Sequence, residues 1–577
     1  MSKKKIDGGD VLINCLLKEG IQYIFGITGG ELLRIYDAIY RFGRDEGINT
    51  VMVRHEQNGA HAADAYARAA GEISACMGTV GPGVMHLVPG VASAYADSIP
   101  MLVIGAQVGK MFDNTGIIQG CIDQIGVMKP ITKLQIRVEE PDEIPGAIQK
   151  AMKIALSGKQ GPVYVEFRET ALVRTASEEV LKKIKDPSQY RQEIRSKANE
   201  QDIKTIVELL KDAKKPLIVA GGGVITSEAS EELVKLSTNY KIPSGTSING
   251  VGSISKNEDT YVGSMLTVNS FRTAASNADI VLSFGCKWDY TVLFGDAPLW
   301  NTNQKVIQVN IDENEIGKNR PAEIGIVADP KSVLNQLLME MEKSLPKEKI
   351  TEWTEWNDYL QDFGKAEVKN IEKLMKSEKT PIRPQRLVLE IYDFFPPDTI
   401  FVIDGGDIMA FCHSHVSYCS RYPRSYLYPT AMGHLGVGIP YAIGAKLAKP
   451  DNPVVTITGD GAFLFSAQEL DTAVRLELPI IIIISNNSCW GMIKGNQQMN
   501  YEKRYCDTDL PPMDFTKIAQ SYGCHAERVV NPQDLKLAFQ RALDANKPAV
   551  IDVETAFEVT AARKLFDLYK KSKGIYG

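Results

Sequence analysis

Short aliphatic runs alternate along the chain with stretches of helix length in which apolar residues recur every three or four positions. In the first third, residues 23–27, 50–53, 74–79 and 101–105 predict buried strands, with helices over 58–70 and 84–96 between them. The middle third predicts strands at 216–220, 279–284 and 305–311 and a helix over 228–239. The last third predicts strands at 399–403, 454–458, 480–485 and 549–553, with a helix over 465–475. Two charged, apolar-poor stretches, 176–202 and 347–379, read as linkers. Strands alternating with helices imply parallel sheets covered on both faces. The expectation is an α/β chain of three doubly wound parallel-sheet domains at 1–180, 190–345 and 381–557. A linker at 346–380 and a C-terminal tail at 558–577 complete it.

Composition narrows the class. The length of 577 residues suits three or four domains. Apolar residues at 44% and charged residues at 24% are ordinary globular values, which excludes wholesale disorder. Lys plus Arg number 65 against 71 Asp plus Glu, so the net charge of −6 argues against a nucleic-acid coat. The longest aliphatic run, 478–484, is broken by Pro479 and is too short to span a bilayer. The basic start, Lys3-Lys4-Lys5, has no apolar segment behind it. Nine cysteines without a Cys-x-x-Cys pair suit reduced thiols. A cytoplasmic protein with no membrane and no nucleic-acid partner is expected.

Ligands of such sheets bind at the carboxyl ends of strands. That points to the loops at 26–31, 78–83, 221–223, 404–407, 459–461 and 486–491. The sharpest chemistry lies in the last third. One strand runs into Gly459-Asp460-Gly461-Ala462, and the next runs into Asn486-Asn487-Ser488-Cys489-Trp490-Gly491. A carboxylate and a carboxamide thereby reach one crevice, both with hard oxygens suited to Mg²⁺ and a diphosphate. An Asp helix cap and an Asn-Asn turn would account for the same residues without a ligand.

These motifs resemble those of thiamine-diphosphate enzymes, and the resemblance extends over nearly the whole chain. The first third carries Arg54-His55-Glu56-Gln57-Asn58-Gly59-Ala60-His61, Gly81-Pro82-Gly83, Ala94-Tyr95-Ala96-Asp97-Ser98-Ile99-Pro100 and Pro130-Ile131-Thr132-Lys133. It is similar to the pyrimidine-binding domain of the acetolactate synthase, benzaldehyde lyase and 2-hydroxyacyl-CoA lyase group. Gly285-Cys286-Lys287-Trp288-Asp289 in the middle and Gly433-His434-Leu435-Gly436 before the diphosphate motif fit the same group.

The resemblance implies thiamine diphosphate and Mg²⁺ as cofactors. It implies Glu56 as the acid–base partner of the aminopyrimidine, with the carbonyl of Gly433 accepting from that ring. Asp460, Asn487 and the backbone carbonyl of Cys489 would hold Mg²⁺. Leu435 would bend the cofactor, and Gly405, Asp407, Ile408, Gly459, Gly461, Ala462, Trp490 and Gly491 would surround it. A carboxylate such as Asp407 beside phosphate is unfavourable unless it accepts backbone N–H bonds. Gly29, Gly30 and Glu31 match a loop facing the thiazolium, and Gln119 a polar residue of the substrate pocket. His61 and His434 are conceivable proton donors, with a structural role the commoner reading. The turn Gly221-Gly222-Gly223 would suit ADP or FAD in the middle domain, or simply a tight strand-to-helix turn.

The implied chemistry makes or breaks a C–C bond beside a carbonyl. The basic tail, with Arg563 and Lys564, suggests a lid over the phosphates of CoA. That favours a 2-hydroxyacyl-CoA lyase giving formyl-CoA and an aldehyde or ketone, or running in reverse. The alternative is an acetolactate-synthase-like carboligase that decarboxylates a 2-oxo acid such as pyruvate. A non-catalytic nucleotide-binding relative is disfavoured because Glu56, Asp460 and Asn487 are all present. The substrate is a small molecule, an acyl-CoA in the first reading. A homodimer or homotetramer with active sites between subunits is expected.

Overall fold

The computed structural model describes residues 6–264 and 269–574, so the basic start of the chain lies outside the described residues. Three six-stranded sheets account for most strands. In the first, the order is Asn49–Met52, Tyr23–Gly26, Ser74–Gly78, Met101–Gln107, Val163–Arg168, Gln135–Val138, and every neighbouring pair is parallel. The third repeats that order with Tyr426–Leu427, Ile400–Ile403, Val454–Gly459, Ile480–Asn486, Ala549–Glu554, His525–Val529. The middle sheet differs. It runs Tyr261–Ser264, Ser244–Thr246, Pro216–Ala220, Ile280–Phe284, Lys305–Asn310, Ile324–Val327, again all parallel. The three sheets and their covering helices make the expected three-sheet α/β fold.

The predicted strands are present, with ends moved by a residue or two. Those that periodicity overlooked include the half-exposed edge strands Gln135–Val138 and His525–Val529. Central strands such as Ser74–Gly78 and Met101–Gln107 are buried on both faces and so read as largely apolar runs.

Strand order decides where ligands can bind. In the first sheet the winding reverses between Tyr23–Gly26 and Ser74–Gly78. In the third it reverses between Ile400–Ile403 and Val454–Gly459. Loops leaving two such strands diverge to opposite faces and open a crevice. Residues 27–30 and 79–83 border the first crevice, and 404–407 and 459–461 the second.

By contacts the chain groups into two compact units: 1–193 with 429–454 and 465–480, and 194–428 with 455–464 and 481–577. In the first, helix Glu56–Ala70 packs between helices Pro82–Asp97 and Gly438–Ala448. Small residues permit this. A Cβ on Gly90 would lie 2.4 Å from that of Ala60, and one on Gly444 would lie 2.0 Å from the carbonyl of Ala62.

The stretch expected as a linker at 346–380 carries instead a helix, Lys347–Met375. Trp353 and Trp356 are buried and donate to the carbonyls of Ala213 and Pro216 at 3.0 and 3.2 Å. With Leu360 they form one apolar stripe at helical spacing, hidden in sequence by the charged opposite face. The tail likewise forms a helix, Ala561–Ser572, capped by the Thr560 side chain. Among the described residues no helix is long and apolar enough to cross a membrane.

Candidate active site

The first crevice gathers side chains from four loops. Glu56 opens its helix and is buried, with 7% of its surface exposed. Its Oε2 lies 3.0 Å from Nδ1 of His86, on the second turn of helix Pro82–Asp97. Its Oε1 faces Gly83, where a Cβ would stand 3.4 Å away. Thr79 stands behind, and its hydroxyl donates to Glu31 at 2.8 Å. Gly29 is pressed on Thr79 so closely that a Cβ would meet it at 2.3 Å. Gly30 has open space in the same loop. Gln119, with φ of +67°, lays its backbone on Gly81, itself at φ of +71°. Gly81 donates to the buried Gln124 at 2.7 Å, and Gln124 in turn holds Ala106 and Glu166. The structure therefore brings Gly29, Glu31, Glu56 and Gln119 to one end of the first sheet.

Glu469, which sequence reasoning overlooked, fixes the loop that presents Glu56. It accepts from Arg54 N–H and Asn58 Nδ2, both at 2.9 Å, and from the Thr472 hydroxyl at 2.6 Å. Burial pushes its carboxyl up, and these three donors work against that. Its signal was the spacing to Thr472, which could equally have marked a solvated helix start.

His61 is not placed for proton transfer. It is fully buried in the helix sandwich, edge-on to His434 at 4.7 Å, with neither ring nitrogen hydrogen-bonded. Burial holds it neutral, well below the ordinary histidine range. His434 is half-buried and its Nδ1 lies 3.2 Å from the carbonyl of Leu435. Gly433 adopts φ of +56° and is exposed, and Leu435 is half-buried beside it. All four belong to the same compact unit as Glu56.

The second crevice gathers the acidic and amide groups. Asp460 is 4% exposed; its Oδ1 accepts from Gly461 N–H at 2.8 Å and its Oδ2 has no partner. Burial, and then the neighbouring Asp407, push its carboxyl up to about 6, against donors from Gly461, Ser488 and Cys489. Asn487 donates from Nδ2 to Asp407 Oδ2 at 2.7 Å and accepts from Cys489 N–H at 3.2 Å. Asp407 is buried and its carboxyl is also raised. Its observed task is to orient Asn487. Gly491 makes that contact possible, since a Cβ there would stand 1.9 Å from Asp407 Oδ2.

The remaining residues of this crevice are packing partners. Trp490 lies against Gly461, where a Cβ would meet its ring at 2.7 Å. Ile408 fills the space over Gly405 and Gly459, and Ala462 is buried beside them. Gly405 takes φ of +96° and donates to Asp404 at 2.7 Å. Asp404, at the start of the 404–407 loop, accepts from the Thr458 hydroxyl as well, at 3.1 Å. Cys489 is buried with its thiol pushed up to about 12, so no thiolate chemistry resides there.

An unpartnered buried carboxylate oxygen, beside a second carboxylate and an asparagine, is costly unless a cation completes it. The donor set is all oxygen, which suits a hard divalent ion. The residues present fit Mg²⁺ with a diphosphate.

Two groups expected to meet a ligand make contacts within the chain. In the middle sheet Gly221 and Gly223 are packed on Gly285 and Cys286; a Cβ on Gly221 would meet the Gly285 carbonyl at 2.2 Å. Close backbone packing is thus what the glycine turn observably serves. In the tail, Arg563 is paired with the buried Asp567 at 2.8 Å, leaving Lys564 exposed.

Three α/β sheets with an acid beside one switch point and an oxygen-ligand set at another define a cofactor-dependent enzyme, and family models name the cofactor. Residues 6–127 match the N-terminal TPP-binding domain of thiamine pyrophosphate enzymes, 203–337 their central domain and 404–553 their C-terminal TPP-binding domain. The chain belongs to the thiamine pyrophosphate enzyme family and is a thiamine-diphosphate-dependent carboligase. It is 34% identical over 562 residues to a probable acetolactate synthase large subunit of Methanocaldococcus jannaschii, covering 95% of this chain and 91% of that protein. It is 32% identical to the acetolactate synthase large subunit of Haemophilus influenzae, covering 95% and 94%. Similarity to the acetolactate synthase of Arthrospira platensis is 33%, covering 95% and 94%. These relatives favour the acetolactate-synthase-like expectation over the 2-hydroxyacyl-CoA lyase.

Proposed function

We propose that this chain is an acetolactate-synthase-like carboligase, which decarboxylates a 2-oxo acid such as pyruvate and joins the remaining acyl unit to a second carbonyl. The observation that carries the reading is similarity to acetolactate synthases over nearly the full length of both chains. The tail supports it, because the Arg563 guanidinium assigned to CoA phosphates faces Asp567 of its own helix as an ion pair.

Thiamine diphosphate supplies, when bound, a carbon nucleophile and an electron sink beside the substrate carbonyl. Glu56 carries the acid–base work, moving a proton between its Oε1 and the aminopyrimidine nitrogen, and at Gly83 no side chain covers that oxygen. The Gly433 carbonyl accepts from the same ring. Asp460, Asn487 and the Cys489 carbonyl hold Mg²⁺, and Asp407 keeps Asn487 turned for that purpose. Leu435 shapes the bound cofactor. Gly29, Gly30, Glu31 and Gln119 border the substrate, and Trp490 walls the diphosphate loop. Three sequence domains (1–180, 190–345 and 381–557) are the units of this division of labour. A second copy of the chain completes each active site in a homo-oligomer.

Incubation of the cofactor-loaded enzyme with pyruvate, followed by mass spectrometry, tests the reaction. Release of CO₂ with formation of 2-acetolactate, both abolished in Glu56→Gln, is expected. Intact pyruvate together with cleavage of a 2-hydroxyacyl-CoA would overturn the proposal in favour of the lyase.

A further inference from the structure

A buried carboxyl that must deliver a proton with one oxygen needs a partner for the other, or it rotates and leaves a polar atom unsatisfied. At Glu56 the two oxygens have different surroundings. Oε1 faces Gly83, where even a Cβ would stand 3.4 Å away, whereas Oε2 is held by His86 Nδ1 at 3.0 Å. Gly83 and His86 are three residues apart on one helix and therefore share a face. At one position the missing side chain leaves Oε1 uncovered, and at the other His86 grips Oε2.

The His86 ring is itself supported. It stacks on His55 at 4.4 Å with 29° between planes, and His55 is fixed because its Nδ1 accepts from Gln57 N–H at 3.2 Å. His55, Glu56 and His86 have ligand atoms within 4.8 Å of one another, as a metal site would require. Nitrogen lone pairs lie in the ring planes, however, so two nearly parallel stacked rings do not aim them at one ion. With one nitrogen of His55 already engaged, the set forms a hydrogen-bonding platform.

We propose that His86 is the positioning residue of the catalytic acid, tying down Glu56 Oε2 so that Oε1 alone is offered to the aminopyrimidine. The proposal rests on the acid–base reading of Glu56. It assigns His86 no contact with substrate; it acts through Glu56. His55 is the ring that keeps His86 in place.

Substitution separates this role from mere packing. The Nδ2 of an asparagine occupies nearly the position of histidine Nδ1, so His86→Asn keeps the donor and His86→Leu removes it. His86 has 46% of its side chain exposed, so both variants should fold, and His86→Ala replaces the leucine if that one does not. Two readouts apply: the ¹³C resonance of the Glu56 carboxyl in cofactor-free protein, and C2 proton exchange of bound thiamine diphosphate followed by NMR. His86→Leu should shift the carboxyl resonance and slow exchange by about tenfold or more, with cofactor affinity within about threefold of wild type. His86→Asn should restore both readouts to near wild type. Wild-type exchange and an unmoved resonance in His86→Leu would overturn the proposal, as would equal losses in the leucine and asparagine variants. Glu56→Gln serves as the control: if it too exchanges at the wild-type rate, the acid–base reading of Glu56 is what has failed.

Discussion

Asp460 offers a prediction in which two effects have opposite signs. In the metal-free protein its carboxylate is buried with Oδ2 unpartnered, and its pKa rises from 3.8 to about 6. A rise of that size means that keeping the group ionised costs the metal-free fold about 3 kcal/mol at neutral pH. Asp460→Asn removes the charge, keeps an oxygen to accept from Gly461 N–H, and puts an amide where Oδ2 stood. Because that amide also lacks a partner, the expected gain is about 1–2 kcal/mol rather than the whole amount. The folded-state pKa lies above the unfolded one, so the wild type loses stability as pH rises through that interval and the full cost stands above it. The advantage of the variant should be largest at pH 7 and vanish as pH falls from about 6 towards 4. Thermal melts of both proteins in chelator, across that range, measure it. With Mg²⁺ and thiamine diphosphate the order should invert: the wild type gains stability by ligand binding and Asp460→Asn does not. A variant no more stable than wild type in chelator, or one that still gains from Mg²⁺ and cofactor, would refute the reasoning.

Three other perturbations test neighbouring parts of the structure. Glu56→Gln should bind thiamine diphosphate yet slow C2 proton exchange by orders of magnitude, and mixing it with Asp460→Ala should restore partial activity if a second copy completes each site; NMR exchange and activity after verified subunit exchange measure these. Gly491→Ala places a methyl group where Asp407 Oδ2 now lies 1.9 Å away, so it should displace Asp407 from Asn487 and weaken cofactor retention by tenfold or more, read by calorimetric titration. Arg563→Ala leaves the buried Asp567 with Asn500 as its one remaining partner among the described residues, so the tail helix should loosen by about 2–3 kcal/mol, seen as faster amide exchange across Ala561–Ser572 with the rest of the chain unchanged.

The sequence by itself determined the class of fold and the chemical types at the site. Strands buried on both faces, such as Ser74–Gly78 and Ile480–Asn486, are dominated by apolar residues, and that one-dimensional signal survives without any knowledge of neighbours. The Gly-Asp-Gly and Asn-Asn loops were visible for the same reason, since a strand end and a tight turn are local. Edge strands such as Gln135–Val138 and the helix Lys347–Met375 were not, because a half-solvated element mixes polar and apolar residues and its period is diluted. The pairings were invisible too. Glu56 meets His86 across 30 residues, and Asp407 meets Asn487 across 80. A carboxylate in a sequence is only a charge; burial and a partner's direction decide whether it anchors an asparagine, as Asp407 does, or is left with an unpartnered oxygen, as Asp460 is. Those properties depend on distances between strand ends that the crossover connections set, and only the tertiary structure fixes them.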